Sequence, residues 1–423
     1  ADGRFVAFES YADNLVANDV DGAPDVFVYD RQTGQTELVS QPSDGSRPWG
    51  YFYNPSISDD GRYVAFYGYS DGLVPGDTNN AYDVYVHDRQ TGATTRVSVK
   101  SNGAEGNNNS YSPAISATGQ YVVFVSYATN LVSGDTNDMP DVFLHNRTTG
   151  ATTRVSLKAA NTQANDESWG PSVSADGRYV AFYSYATNLV TGDTNNASDI
   201  FVRDVTAKTT ARVSASSGGA QGDAWSETPE ISDNGRYVAF TSAATNLVPG
   251  DANGDNSDVF IRDRQANTTT LVSRDAAGNQ AEWAYGSSLS ADGALVAFES
   301  LSGLLPGGAA NSYDIYVRNW QTGTIVRALV SNGGAAGDRE AWDPSLSADG
   351  TAVGFTSWAT NLTPGDSKSA YDIFVRKLSQ NQTNLASGHA FAFTEPNNHN
   401  DCPALSLDGR YVAYCSSANN LVP

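Results

Sequence analysis

Cysteine, histidine and methionine are nearly missing from this chain: two, four and one among 423 residues. So thin a supply leaves no cysteine or histidine constellation for a metal centre of the zinc type. No H-E-x-x-H, phosphate-loop or dinucleotide fingerprint occurs either. Basic residues are also short, with 25 Lys and Arg against 47 Asp and Glu, a formal charge of −22. Nucleic acid and anionic membrane surfaces are poor partners for such a surface. Solubility, cation binding or a salty environment fit it. No apolar run approaches the roughly 20 residues of a membrane-spanning helix, so membrane insertion is not expected. Helical periodicity is absent as well. No signal segment is present, and a start at Ala1 without Met fits a processed chain or one cut from a longer protein.

What the chain has in abundance is repetition. The glycine of the phrase "DGRYVAF" falls at Gly3, Gly61, Gly119, Gly177, Gly235, Gly293, Gly350 and Gly409, a period of 57 to 59 residues. No linker interrupts it, so residues 1–423 read as a single domain of about seven repeats. Each period holds four short runs rich in Val, Ile, Phe and Tyr, as in "PSVS", "RYVAFYS", "DIFVRD" and "TARVS" between Pro171 and Ser214. Consecutive apolar residues predict strands buried on both faces. The Asp-Gly turns predict tight hairpins with positive φ. The fold expected is all-β, a β-propeller of four-stranded antiparallel blades, with both long connections of each repeat on one face.

The phrases "SADGRYVAF", "DIFVRDRQTG" and "RVS" resemble the TolB-type propeller repeat, across essentially the whole chain. That resemblance implies a secreted or periplasmic binding scaffold, or a non-catalytic domain beside a hydrolase. The long connections depart from the family in being richer in Asn, Asp and aromatic residues.

The copy count is uneven. The chain opens on a second strand, Arg4–Ser10, and closes on another, Arg410–Ser416. Seven blades result if "PALS" near the C-terminus joins the third and fourth strands of the first repeat, a closure mixing both termini. Residues 1–17 and 407–423 then compete for one slot. Cys402 and Cys415 are equidistant from the last hairpin turn, so they are predicted to face each other and form a disulfide, which implies an oxidising compartment. The alternative is two reduced thiols in a buried hairpin. The disulfide favours the C-terminal hairpin for the slot and leaves residues 1–17 displaced, free to join a second copy in a homo-oligomer. Eight blades, two of them incomplete, are the other solution.

Two sets of side chains stand out. The loops before each third strand carry Asp and Asn at spacings that suit calcium. Asp19, Asp21 and Asp25 form one candidate set, and Asp251, Asn253, Asp255 and Asp258 another. Turn capping explains the same residues, and the last Asp recurs in all seven loops, which marks a fold requirement. The connection into each first strand repeats an aromatic or acidic position. Tyr53, Tyr111, Trp169, Trp225, Trp283, Tyr285 and Trp342 are candidate ligand-binding residues for a protein or glycan. Packing of loop on loop is the competing account.

Catalytic signals are weak. "GYSDG" at Gly68–Gly72 matches G-x-S-x-G but leads into a loop, not a helix. His87 and His145 share one third-strand position, read as solvent-facing. No catalytic residue is assigned, and the expected function is non-catalytic binding. A structural subunit joined by terminal strand exchange, and a carbohydrate-active enzyme or its accessory domain, are the alternatives.

Overall fold

The computed structural model describes residues 4–11, 15–16, 22–30, 32–46, 49–301, 303–308, 312–364, 370–387, 400–406, 408–410 and 412–416. Among them lie twenty-nine strands and one short 3-10 turn, Ala159–Asn161. The strands form eight antiparallel sheets, of which six are complete four-stranded blades. Strands in a blade are lettered A to D in chain order. Blade 2 shows the pattern: Tyr51–Ile57, Tyr63–Tyr69, Asp83–Asp88 and Ala93–Arg96. Two compact units, Ala1–Val213 and Ser214–Pro423, each hold four of the eight sheets.

The strand chemistry explains the burial. In blade 2, Val64, Ala65 and Phe66 are fully buried, as are Val84, Tyr85 and Val86 on the paired C strand. One face packs on the preceding blade through Val26, Val28, Val64, Phe66 and Tyr85. The other meets the following blade through Ala65, Val84, Val86, Val122 and Phe124. Each such side chain contributes roughly 1.5–3 kcal/mol on burial, which is why both faces of a strand are apolar.

The hairpin turns between A and B strands need glycine, and only glycine takes positive φ there. Gly119 has φ +70, and a Cβ on it would stand 2.2 Å from Tyr63 Cδ2 of the preceding blade. The Asp of the turn acts through its side chain instead. Asp60 accepts hydrogen bonds from Ser58 Oγ at 2.6 Å and from the Arg62 amide at 3.0 Å.

Eight blades replace the expected seven, and the described residues show no exchange of terminal strands between the first and last blades. Phe5–Ser10 pairs with Asp25–Asp30 in the register Phe5↔Asp30 to Ser10↔Asp25, giving a three-stranded blade 1 with B, C and D strands. Residues 5–10 are therefore not displaced. Arg4 holds Asp30 through Nε at 3.0 Å and Nη2 at 2.7 Å, and Phe8 stacks on Phe27. Pairing across a short connection wins over pairing with the far end of the chain, because the loop to be closed is shorter. Asn400–Leu405 and Val412–Ser416 form a separate two-stranded blade 8.

The cysteine register is also corrected. Cys415 opposes Asp401, not Cys402. A β-bulge between Asp401 and Ala404 shifts the pairing by one residue beyond the turn-proximal pairs. The side chain of Cys402 lies outside the described residues.

His87 and His145 are buried, not solvent-facing, at 3% and 6% exposure. The Nδ1 of each lies 2.8 Å from a threonine hydroxyl of its D strand, Thr94 or Thr152. Those threonines donate to carbonyls of the preceding connection, at Gln41 and Val99. Burial pushes both imidazoles down to about 4.

Candidate ligand-binding surface

The bulge that moves Cys415 recurs in every described A strand and builds the surface beside it. It falls after Tyr53, Tyr111, Trp169, Glu227, Tyr285, Trp342 and Asp401. The residue that follows takes positive φ: Asn54, Ser112, Gly170, Thr228, Gly286 and Asp343 lie between 51 and 60°. In five of these the next residue is proline, whose preceding residue is also kept from the α region. Tyr53, Tyr111, Trp169, Tyr285 and Trp342 are therefore part of the strand itself, fixed by pairing with a B-strand residue such as Tyr67 or Tyr183. Trp225 and Trp283 stand just ahead of their strands, which start at Ser226 and Ala284.

In the unit Ala1–Val213 three of the candidates join one continuous aromatic chain. Trp49 meets Tyr69 at 6.4 Å, Tyr69 meets Tyr82 at 5.9 Å, and Tyr82 meets Tyr111 at 5.6 Å. Tyr111 continues to Tyr127 at 6.4 Å, and Tyr127 to Trp169 at 5.8 Å. Tyr53 attaches through Tyr67, 5.6 Å away, which in turn touches Tyr111 at 5.4 Å. Most contacts are edge-on or tilted, so the rings brace one another and each keeps part of a face in solvent. Trp49 is 55% exposed, and Tyr69, Tyr82, Tyr111, Tyr127 and Trp169 are half-buried. Carboxylates border the chain. The Tyr127 phenol is pushed up by burial and then by Glu167, and that of Tyr67 by burial and then by Glu9.

The unit Ser214–Pro423 holds two smaller groups. Trp283 stacks on Tyr285 at 6.2 Å with 15° between planes. Trp342 meets Tyr371 edge-on at 4.9 Å, and Trp358 stacks on Tyr371 at 4.7 Å. Trp225 contributes its carbonyl, which accepts from Ser242 Oγ at 3.0 Å.

Sequence reasoning missed Tyr69, Tyr82, Tyr127, Trp358 and Tyr371, although their signal was periodic. Tyr82 and Tyr371 directly precede the aspartate that opens a C strand; Tyr69, Tyr127 and Trp358 lie at or directly after a B-strand end. Scored by repeat position, they would have been found.

Several carboxylates near the A-strand bulges have no ion-pair partner among the described residues and accept backbone amides instead. Glu299 is opposite Tyr285, and its Oε2 accepts from the Asp343 amide at 3.1 Å. Glu9 occupies the same repeat position and accepts from the Asn54 amide at 2.6 Å. Burial pushes Glu299 up to about 7, and Asp343 rises through burial and then through Asp401. Glu230 accepts from the Leu289 amide at 2.8 Å. Ser56, Ser288 and Ser345 take the equivalent bond in other blades. Burial pushes Glu230 up to about 8.

The Asp/Asn loops are built around a buried aspartate and, in several blades, an arginine. Asp83 accepts from Ser98 Oγ at 2.5 Å; Asp25, Asp258 and Asp372 take the same bond from Ser40, Ser273 and Ser387. Arg154 Nη1 lies 3.1 Å from Asp135 and 2.8 Å from Asp141. Arg96 and Arg212 reach two loop aspartates of their own blades in the same way, and Arg327 reaches the single one of its blade, Asp314, through Nε. Blade 5 has Leu271 at that position. There Gln280 Nε2 donates to Asp251 at 2.6 Å and to Asp258 at 3.1 Å, and Asn253 Nδ2 donates to Asp258 at 2.9 Å. Burial pushes Asp258 up to about 6. A calcium ion at Asp251, Asn253 and Asp258 would compete with these donors for their oxygens. Asp255 lies in the turn at Gly254, and Asp19 and Asp21 lie outside the described residues. Ser70 donates its hydroxyl to the Trp49 carbonyl at 2.9 Å, holding the loop under that ring.

No protein-family model and no curated protein matches the sequence. Solved structures do match. An oligogalacturonate lyase from Vibrio parahaemolyticus aligns with TM-score 0.52 and 12% identity, over 97% of this chain and 94% of that one. The β-propeller domain of the Trilobed protease from Pyrococcus furiosus aligns at TM-score 0.50 and 9% identity, over 84% and 89%. TolB from Acinetobacter baumannii aligns at TM-score 0.41 and 15% identity, over 90% and 79%. Likeness at these identities concerns the fold: an all-β propeller of four-stranded antiparallel blades; TolB proteins are among the structures matched. These neighbours include an enzyme and a domain of one, so the architecture alone does not separate binding from catalysis.

Proposed function

We propose that the chain is a non-catalytic binding scaffold, secreted or periplasmic, that holds a protein or glycan against the aromatic chain of blades 2 to 4. The observation that carries this reading is the unbroken run of part-exposed rings from Trp49 to Trp169. Packing of blades is already supplied by Val, Ile and Phe beneath, so rings left partly in water serve contact with something else. The bordering carboxylates favour a partner that is neutral or cationic. Among the described residues no helix is long and apolar enough to cross a membrane.

A glycan array and a peptide array, each probed with the full chain and with Trp49→Ala and Trp169→Ala, test it. Loss of the same signals in both variants is expected. Equal signals from all three proteins would remove the aromatic chain as the site.

A second reading, a carbohydrate-active site, is favoured by one arrangement. Glu299 is held near neutrality beside Asp343, a non-glycine residue at φ +53, between Tyr285 and Trp342. A carboxylic acid titrating near 7 has the range a general acid needs. Turnover of any glycan that binds, abolished by Glu299→Gln, would establish it; binding without turnover would leave the scaffold.

A further inference from the structure

We infer that blades 3 and 4 together carry a separate binding site for a small oxyanion, in a cavity walled by Arg203 and Lys208. The cavity measures about 270 Å³ and is lined by Ser133, Thr152, Arg154, Asn161, Arg203 and Lys208 among others. No Asp or Glu lines it, in a chain of formal charge −22. It lies within the unit Ala1–Val213 and apart from the aromatic chain, so it does not depend on that reading.

Comparison among blades carries the argument. Arg203 is 4% exposed and sits at a C-strand position also held by Arg262, Arg318 and Arg376. Its Nη1 donates to the carbonyls of Leu157 and Lys158 at 3.3 and 3.4 Å and to Thr210 Oγ1 at 3.1 Å. In blades 5 and 7 the turn after the C strand supplies an asparagine carbonyl to the same guanidinium. Asn267 accepts from Arg262 at 3.4 Å, and Asn381 accepts from Arg376 at 3.2 Å. In blade 6 that turn position is Gly323, where a Cβ would stand 4.0 Å from Arg318 Nη2. The position therefore lies directly against the arginine.

Blade 4 puts Lys208 there, at φ +57, where the C–D turns of blades 1 to 3 and 5 to 7 have glycine or asparagine. The asparagine or glycine of that turn has become a second cation lining the same cavity, and the acceptor for Arg203 Nη2 comes from Asn161 instead. Lys208 is exposed and Arg203 buried in the same cavity lining, so an anion bound there meets both cations. Neither Arg203 nor Lys208 forms an ion pair with a carboxylate among the described residues, since Asp204 is taken by Arg178 at 2.8 Å. Arg154, the third cation, is occupied by Asp135 and Asp141. Asn161 Oδ1 accepts from Arg203 Nη2 at 3.2 Å and stands where neighbouring connections have glycine. Its amide and the hydroxyl of Ser133 add polar groups to the wall, whereas the Thr152 hydroxyl is engaged by His145 and the Val99 carbonyl. The volume lies just under the usual range for small-molecule pockets and admits a phosphate group or a phosphate-bearing monosaccharide. Arginine offers the forked geometry that oxyanions take, and lysine a point charge beside it.

The test uses the full chain and inorganic phosphate. Melting is followed in phosphate against chloride at matched ionic strength and pH 7, with the dissociation constant measured by calorimetry. A saturable rise in melting temperature is expected for the wild type. Lys208→Asn, which installs the residue of blades 5 and 7, is expected to fold as well in chloride and to bind phosphate roughly tenfold more weakly. Lys208→Arg is expected to retain binding. No saturable rise in the wild type, or equal binding by Lys208→Asn, would overturn the proposal.

Discussion

Tyr63 lies flat against Gly119 of the next blade, and the Arg147 guanidinium covers it, 4.0 Å from the ring centre. The same glycine also takes φ +70. Gly119→Ala must therefore adopt a left-handed backbone and displace the tyrosine ring. A loss of about 2–4 kcal/mol in urea unfolding is expected, combining backbone strain with overpacking. Gly92→Ala is the control, since Gly92 has φ +72 but nothing within 4 Å of the place a Cβ would take. It should lose only about 1–2 kcal/mol.

Arg154→Leu should be among the most destabilising single changes. It leaves Asp135 and Asp141, whose side chains are 3% and 0% exposed, without their cation. A loss of about 3–5 kcal/mol at pH 7 is expected from an uncompensated buried charge. The loss should shrink at pH 5, because burial favours the protonated form of Asp141. Chemical unfolding at both values checks it.

Leu271→Arg is the converse. Blade 3 shows that an arginine and a glutamine fit together on such a loop, with Gln163 Nε2 2.9 Å from Asp135. The new guanidinium should reach Asp251 and Asp258, and carboxyl NMR should show Asp258 titrating lower than in the wild type. Added calcium should raise the melting temperature of the variant less than that of the wild type, whatever the wild-type rise.

Acid and base should destabilise through different residues. His87 and His145 titrate near 4 folded and about 6.5 unfolded, so their contribution is complete above 6.5 and is lost as pH falls toward 4. Glu230 runs the other way. Its folded value, near 8, lies above the unfolded one, so its contribution is complete below about 4.5 and is lost as pH rises through 8. Glu230→Ser, which restores the residue of blades 2, 6 and 7, should raise stability at pH 9 by about 1–3 kcal/mol relative to pH 5. His87→Gln with His145→Gln should flatten the decline between pH 6.5 and 4.

Much of this was legible in the residues. The four strands of each blade, their two buried faces and the turn glycines follow from local patterns repeated every 58 residues, and repetition averages out the exceptions. The recurrence of Asp83 and its counterparts marks a fold requirement, and Ser98 shows why: one hydroxyl links that carboxylate to the Val84 amide. The bulge in the A strands was not legible. It adds a residue to one strand only, so a symmetric count from the turn put Cys402 where Asp401 stands. Nor was the burial of His87, because its neighbour is a threonine hydroxyl bonded to another blade.

The amino-acid order by itself determined the unit: short, doubly buried strands with glycine turns, since side-chain size and backbone freedom act over a few residues. Only the tertiary structure decided which strand Phe5–Ser10 would join, which rings would touch from Trp49 to Trp169, and which aspartates would have an arginine. Those outcomes depend on groups far apart in the chain, and distance through space is not written in the spacing along it.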